Sequence, residues 1–234
     1  MKTQALAVAI VAALLLAVLP DICSAQQDRN HDIGGRTIVI PAPDGLTSFL
    51  GLDDAVDFGA RKAASLSNNR LLDRFCSPTE AKLVAVQDPP ANFEAIFDAQ
   101  VDSRMESIKV SGAKFELIAE KYRAAFRPTE LSTNVAEVLL KGTESSWKVL
   151  FGSEIEIDAV CNGTVNSGKD SLIYTAFTKI SVDAGDAKVC YVASAIIRLN
   201  GRLVVLNATD FTPSDHTATL EAMKAWVTEV ISAN

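Results

Sequence analysis

The chain has 234 residues, of which 48% are hydrophobic and 22% are charged, as is typical of a globular protein and not of a disordered or polytopic membrane chain. It has 22 Lys and Arg residues against 29 Asp and Glu residues, which gives a formal net charge of −7. Because this charge repels polyanions on average, we expect no nucleic-acid partner and no attraction to an anionic membrane surface.

The first 25 residues have the layout of a secretory signal peptide. Lys2 supplies a positive charge, residues 5–19 form an uninterrupted apolar run, and Pro20 interrupts that run before a site of small residues. The run is shorter than the roughly 20 residues that a membrane-spanning helix needs. We therefore expect cleavage after Ala25, a secreted or periplasmic location, and no stable membrane anchor after cleavage. Cys23 leaves a lipidated N-terminus as an alternative, although the residues before it do not fit a lipidation site.

The mature chain is predicted to begin with a flexible N-terminal arm over residues 26–36, which are polar and end in a pair of glycines. Residues 37–234 are predicted to form a single globular α+β domain, because a chain of this length can bury roughly 70% of its extended surface in one core.

Strands and helices are predicted from hydrophobic periodicity and from turn residues. Extended runs bounded by Pro, Gly, Asn or Asp predict strands over 37–40, 70–76, 82–87, 93–104, 154–161, 171–180, 188–199 and 202–206. Apolar residues at helical spacing predict helices over 52–66, 111–128, 131–142 and 214–234. Asp53 and Ser111 are expected near the starts of two helices, and Asn162-Gly163 is expected to turn the chain after the strand over 154–161.

The clearest local signal is Asn200-Gly201, which lies between two apolar runs and is typical of a type I′ hairpin. The pairing would put Leu199 opposite Arg202 and apolar residues on both faces of the hairpin, so these strands should lie in mid-sheet with cover on both sides. The sequence therefore predicts an antiparallel sheet covered by helices on both faces, an α/β/α sandwich, with an amphipathic C-terminal helix.

Three cysteines remain after cleavage, namely Cys76, Cys161 and Cys190. There is no CxxC motif, and the spacing supports neither a zinc site nor a redox pair. If the later strands form a meander, Cys161 and Cys190 lie at opposite ends of strands that a third strand separates, and no bridge between them is expected. Whether Cys76 forms a disulfide remains open.

Candidate catalytic residues are few. The chain has two histidines, His31 in the predicted arm and His216 near the start of the last helix, and no G-x-S-x-G motif. We expect no catalytic site. The alternative is a hydrolase with His216 as base and Cys161, another cysteine or a serine as nucleophile.

Three acidic residues alternate along one predicted strand, namely Glu154, Glu156 and Asp158. Their carboxylates would share a face and are candidates for a Ca²⁺ site, but the pattern favours a solvated sheet edge, since no dense loop of oxygen ligands accompanies it. No phosphate-binding glycine loop occurs, and no metal or cofactor is expected. Asn162 and Asn207 begin glycosylation motifs.

The order of elements resembles that of the PsbP/Mog1-like group of α/β/α proteins. The resemblance lies in the run from Ala195 through Asn200-Gly201 to Leu206 and in the helix around Lys224-Ala225-Trp226. It implies an antiparallel sheet covered by helices and a non-catalytic binding or assembly role. We therefore expect a secreted or periplasmic accessory protein that binds an unknown protein or small ligand in the cell envelope.

Overall fold

The computed structural model describes residues 29–90, 93–126, 155–182, 188–212 and 216–234. The strands in these ranges are β1 (Arg29–Asp32), β2 (Thr37–Ile40), β3 (Thr47–Ser48), β4 (Asn69–Cys76), β5 (Ala95–Asp102), β6 (Ile155–Ser167), β7 (Ser171–Val182), β8 (Lys188–Leu199) and β9 (Arg202–Asp210). The helices are α1 (Asp54–Leu66), α2 (Pro78–Ala85), α3 (Gly112–Ala125) and α4 (His216–Ser232). None of these helices is both long enough and apolar enough to cross a membrane.

Seven strands form an antiparallel sheet in the order β3-β4-β5-β9-β8-β7-β6, and β1 and β2 form a separate antiparallel pair. The last four strands of the chain are consecutive neighbours, so the predicted meander is confirmed. Strand β9 also pairs with β5, which joins the early strands to the meander in one sheet.

The predicted hairpin at Asn200-Gly201 is confirmed. Both residues have positive φ angles, 50° and 78°, as a type I′ turn requires. Leu199 pairs with Arg202, and the register continues along both strands. The hairpin lies in the interior of the sheet, as its two apolar faces predict.

Helices cover both faces of the sheet, which gives the predicted α+β sandwich. On one face, α4 packs Met223, Trp226, Val227 and Val230 against β8 and β9, next to apolar residues of the β1–β2 pair. On the other face, α1, α2 and α3 each cover a separate cluster, built around Ala64, Val84 and Phe115 respectively. Burial of these apolar side chains is the main stabilising contribution to such a layered fold.

The flexible arm predicted over residues 26–36 is wrong for residues 29–36. Strand β1 pairs with β2, and a turn connects the two strands. Arg70 donates to the carbonyl of Asp32 at 2.9 Å, and Arg29 lies 3.3 Å from the buried carboxylate of Asp73. The order of this segment thus depends on partners about 40 residues away, which local polarity does not reveal.

The strand predicted over residues 82–87 is wrong, because α2 occupies this region. Ser77 forms a capping box with Glu80, and Pro78 occupies the first turn. Ala81 and Val84 are buried at helical spacing. The S-x-x-E pattern before this segment is a helix start that outweighs its β-branched content.

The turn predicted at Asn162-Gly163 is also wrong. Strand β6 continues to Ser167, and a register shift between Cys161 and Gly163 marks a bulge there. Gly163 has a φ of 95°, which glycine adopts readily, so the dipeptide bends the strand without ending it. The helix predicted over 131–142 lies outside the described residues.

Candidate binding site

A cleft of about 730 Å³ opens at the end of the sheet where the β8–β9 hairpin turns. The turn before β2, the segment before α3 and the last turn of α4 form its walls. Three basic side chains line it, namely Arg36, Lys109 and Arg198. We call it the basic cleft.

The hairpin tip forms one wall of the basic cleft. The backbone N–H of Val110 donates to the carbonyl of Gly201 at 2.8 Å, which fixes the tip against the segment that leads into α3. A Cβ on Gly201 would lie 3.4 Å from Cγ of Lys109, and its φ is +78°. A larger residue here would therefore strain the turn through its positive φ, whereas its Cβ would only touch the stem of Lys109.

Arg198 is held in a fixed orientation by Asp170, a residue of the turn between β6 and β7. The Nε of Arg198 donates to Oδ1 of Asp170 at 2.7 Å, and the backbone N–H of Arg198 donates to the carbonyl of Asp170 at 2.8 Å. Both side chains are partly buried. Asp170 therefore compensates the charge of Arg198 and restrains its guanidinium.

The other two basic side chains of the cleft, Arg36 and Lys109, are exposed. Neither forms an ion pair within the described part of the chain. The guanidinium of Arg202 donates to the carbonyls of Ile33 at 3.1 Å and Gly34 at 2.6 Å. These two carbonyl dipoles partly compensate its positive charge. The positive N-terminal end of α3, capped by Ser111, faces the same cleft. The cleft is thus locally basic in a chain of net charge −7.

Asn234 closes the cleft at the end of α4. Its side-chain amide accepts from the N–H of Val39 at 2.8 Å and donates to the carbonyl of the same residue at 2.7 Å. The amide also donates to the carbonyl of Val230 at 2.8 Å. This residue therefore ties the last turn of α4 to β2 and keeps the wall of the cleft in place.

His216 is the first residue of α4 and is exposed. Its ring centroid lies 5.1 Å from that of Tyr191 and 5.5 Å from that of Phe177. Cys161 lies in β6 opposite Ala176. Among the described side chains, no hydrogen bond joins His216 to a cysteine or a serine, and His216 does not line the basic cleft.

Cys190 is a free buried thiol, so the predicted absence of a bridge between Cys161 and Cys190 is confirmed. The argument from opposite ends of the strands is wrong, however. Cys161 pairs with Ala176 and Cys190 with Thr178, only two residues apart on the same intervening strand. The spacing across β7, about 9.6 Å for two strand separations, is what keeps them apart.

The acidic stripe is only partly described. Glu156 is exposed and accepts from the hydroxyl of Ser181 at 3.5 Å, Asp158 lies in β6, and Glu154 lies outside the described residues. No group of three or more potential metal ligands occurs within the described ranges. Of the glycosylation motifs, Asn162 is exposed, whereas Asn207 uses its side-chain amide in hydrogen bonds within the sheet.

The three basic residues of the cleft were missed by sequence reasoning. They are 73 and 89 positions apart along the chain, and none belongs to a recognisable motif. The available signal was indirect, because Arg36 follows a pair of glycines and Arg198 precedes the hairpin turn. Only the fold brings the β1–β2 turn, the α3 N-terminus and the β8–β9 turn to one place.

Comparison with known proteins identifies a similar solved structure but no protein family. No protein-family model matches the chain, and no curated protein matches it. Among solved structures, the Ran-binding protein Mog1p of Saccharomyces cerevisiae is similar, with 14% sequence identity and a TM-score of 0.32. The match covers 89% of this chain and 95% of Mog1p. It agrees with the resemblance to the PsbP/Mog1-like group, but at this TM-score it carries no inference about what the chain binds.

Proposed function

We propose that this chain is a secreted or periplasmic, non-catalytic accessory protein that binds an anionic ligand in the basic cleft. One observation carries the proposal: Arg36 and Lys109 converge on a cleft of about 730 Å³ and have no carboxylate partner in the described chain. A small polycarboxylate, a phosphate ester or an acidic peptide side chain has the complementary charge. The shared chemistry is that of a carboxylate or phosphate oxygen.

The geometry of the cleft supports a binding role. Arg198 is pre-oriented by Asp170, which lowers the entropy lost when its guanidinium meets a ligand. Lys109 and Arg36 are exposed positive charges in the cleft that attract anions over roughly a Debye length of 8 to 10 Å. The described lining contains neither histidine nor cysteine, on which the alternative hydrolase depends.

Export is the second part of the proposal and rests on the N-terminal pattern of the sequence. The exported protein is expected to begin at Gln26 and to be recovered from a soluble fraction outside the cytoplasm. Intact-mass measurement of the exported protein tests this directly. A mass that includes residues 1–25 would refute the cleavage, and recovery in the cytoplasm would refute the location.

Binding is tested by isothermal titration calorimetry of the mature chain with citrate and with inorganic phosphate. Removing one rim charge, by Lys109→Gln or Arg36→Gln, should weaken binding about five-fold, since one partly solvated charge contributes about 1 kcal/mol. Arg61→Gln removes the same charge from the exposed side of α1 and is the matched control. Equal weakening by all three variants would show that only net charge matters and would overturn the site.

A further inference from the structure

A row of polar side chains crosses the sheet face that α1, α2 and α3 cover. Arg74 lies two residues before Cys76 on β4, and Asp98 lies two residues after Ile96 on β5, so each shares a sheet face with its neighbour. Cys76 and Ile96 pack against α2. The register places Asp98 opposite Arg74 on one side and opposite Asn207 on the other. The row comprises Arg74, Asp98, Gln100, Asn207 and Ser194, and we call it the polar row.

Four of these five side chains are only partly buried, and Ser194 is buried. Polar groups in mid-sheet reduce stability unless they are paired, and apolar residues would serve the fold better. The atoms of the polar row that lack a partner are therefore the ones that a ligand would satisfy.

The hydrogen bonds of the polar row converge on one oxygen of Asp98. Asn207 Nδ2 donates to Asp98 Oδ1 at 3.0 Å, and Gln100 Nε2 donates to the same atom at 2.6 Å. A second hydrogen bond to its carbonyl oxygen holds each amide in this orientation. Ser194 donates to Oδ1 of Asn207 at 2.8 Å, and Asn69 donates to Oε1 of Gln100 at 2.9 Å. Oδ2 of Asp98 accepts no hydrogen bond from the described residues, so the carboxylate is fixed with one oxygen free.

Arg74 does not form the ion pair with Asp98 that its register position favours. Its guanidinium lies 5.2 Å from the ring centroid of Phe49, which stacks on Phe93 at 5.4 Å. In the described chain the guanidinium makes no hydrogen bond and no ion pair within 4 Å. A cation–π contact uses the face of the guanidinium and leaves its N–H edge available.

We propose that Arg74 and Asp98 bind the two charged ends of a small zwitterion of the amino-acid class. The N–H edge of Arg74 would take the carboxylate in a bidentate geometry, and Oδ2 of Asp98 would accept from the ammonium group. The site and the ligand each carry one positive and one negative charge. The complex therefore leaves no uncompensated charge on the half-buried face. An ion with a single charge would leave either Arg74 or Asp98 without a partner.

This site is independent of the basic cleft, which shares none of these residues. The experiment is an NMR titration of the ¹⁵N-labelled mature chain with each of the twenty standard amino acids singly. At least one should bind and shift the side-chain NH₂ signals of Asn207 and Gln100 and the Nε–H signal of Arg74. Acetate and methylammonium should bind there at least about tenfold more weakly, because each lacks one charge-assisted contact.

Variants then test the two charged residues. Arg74→Gln and Asp98→Asn should each weaken binding of the best amino acid about tenfold or more. Arg61→Gln on the exposed side of α1 should leave the affinity unchanged. If both site variants unfold, the wild-type chain still tests the proposal, because the affinities for acetate and methylammonium show whether both charges of the ligand are needed. Absence of binding by all twenty amino acids, or shifts confined to the basic cleft, would overturn the proposal.

Discussion

The indole Nε1–H of Trp226 donates to the carbonyl of Pro41 at 2.7 Å and so joins α4 to the segment after β2, 185 residues away in the chain. The ring also meets Phe75 and Phe97 edge to face, with centroids 5.6 Å and 5.8 Å away. Both the indole and Pro41 are buried. This one side chain therefore connects the C-terminal helix, the β2 segment and the centre of the sheet.

Trp226→Phe should destabilise the fold by about 2 to 4 kcal/mol, because it leaves the buried Pro41 carbonyl unpaired and opens a small cavity. Urea denaturation curves, each recorded at several protein concentrations, give the free energy of unfolding. Glu221→Gln, an exposed change on the same helix, is the control. A loss below about 0.5 kcal/mol would show that this hydrogen bond contributes little.

Val227→Asp should destabilise by at least about 3 kcal/mol, because it places an unpaired carboxylate in the core. Val227 is only 4% exposed and packs against the sheet. Ala222→Asp introduces the same charge on the exposed side of α4 and should change stability little. Circular dichroism during chemical denaturation distinguishes the two. Similar unfolding midpoints for both variants would mean that α4 is not docked.

His31 should make the stability of the protein depend on pH. Burial, and then the charges of Arg70 and Arg29, lower the pKa of His31 from 6.5 to about 4. The unfolded chain therefore binds more protons than the folded chain between these values. Stability from this group is complete above pH 6.5 and is lost as the pH falls towards 4.

The comparison with His31→Gln isolates this effect. Between pH 7 and pH 4.5 the wild type should lose about 2 kcal/mol more than the variant, after allowance for the partial exposure of the ring. Burial raises the pKa of the nearby Asp73, an effect of opposite sign that both proteins share. Urea unfolding across this pH range measures the difference. Parallel pH profiles for the two proteins would contradict the lowered pKa of His31.

Cys76 should be unreactive in the folded protein. Burial, and then the charge of Glu80, raise the pKa of its thiol to about 12, and its side chain is buried beneath α2. Alkylation by iodoacetamide at pH 8 should be at least about 100-fold slower than in guanidinium, since the thiolate is the nucleophile. Peptide-resolved mass spectrometry measures both rates. Rapid labelling of folded Cys76 would revive the cysteine-hydrolase alternative.

Local signals in the sequence were sufficient to predict several elements of the fold. Asn200-Gly201 defined the β8–β9 hairpin and its register, because only residues that tolerate positive φ fit a type I′ turn. Asp53 and Ser111 marked the starts of α1 and α3, since their side chains accept from backbone N–H groups three residues on. The amphipathic stripe of α4 identified the face that meets the sheet. These signals were sufficient for the layered α+β architecture.

Features that depend on residues far apart in the chain became visible only in the folded protein. The order of β1 rests on Arg70 and Asp73, and no local pattern near residue 29 reveals them. The basic cleft and the polar row were likewise invisible in the sequence, because their members come from turns and strands far apart in the chain. Periodicity in the sequence predicts which face of a helix or strand is apolar. A binding site depends on which polar residues of different elements lie next to each other, and strand order and register determine this.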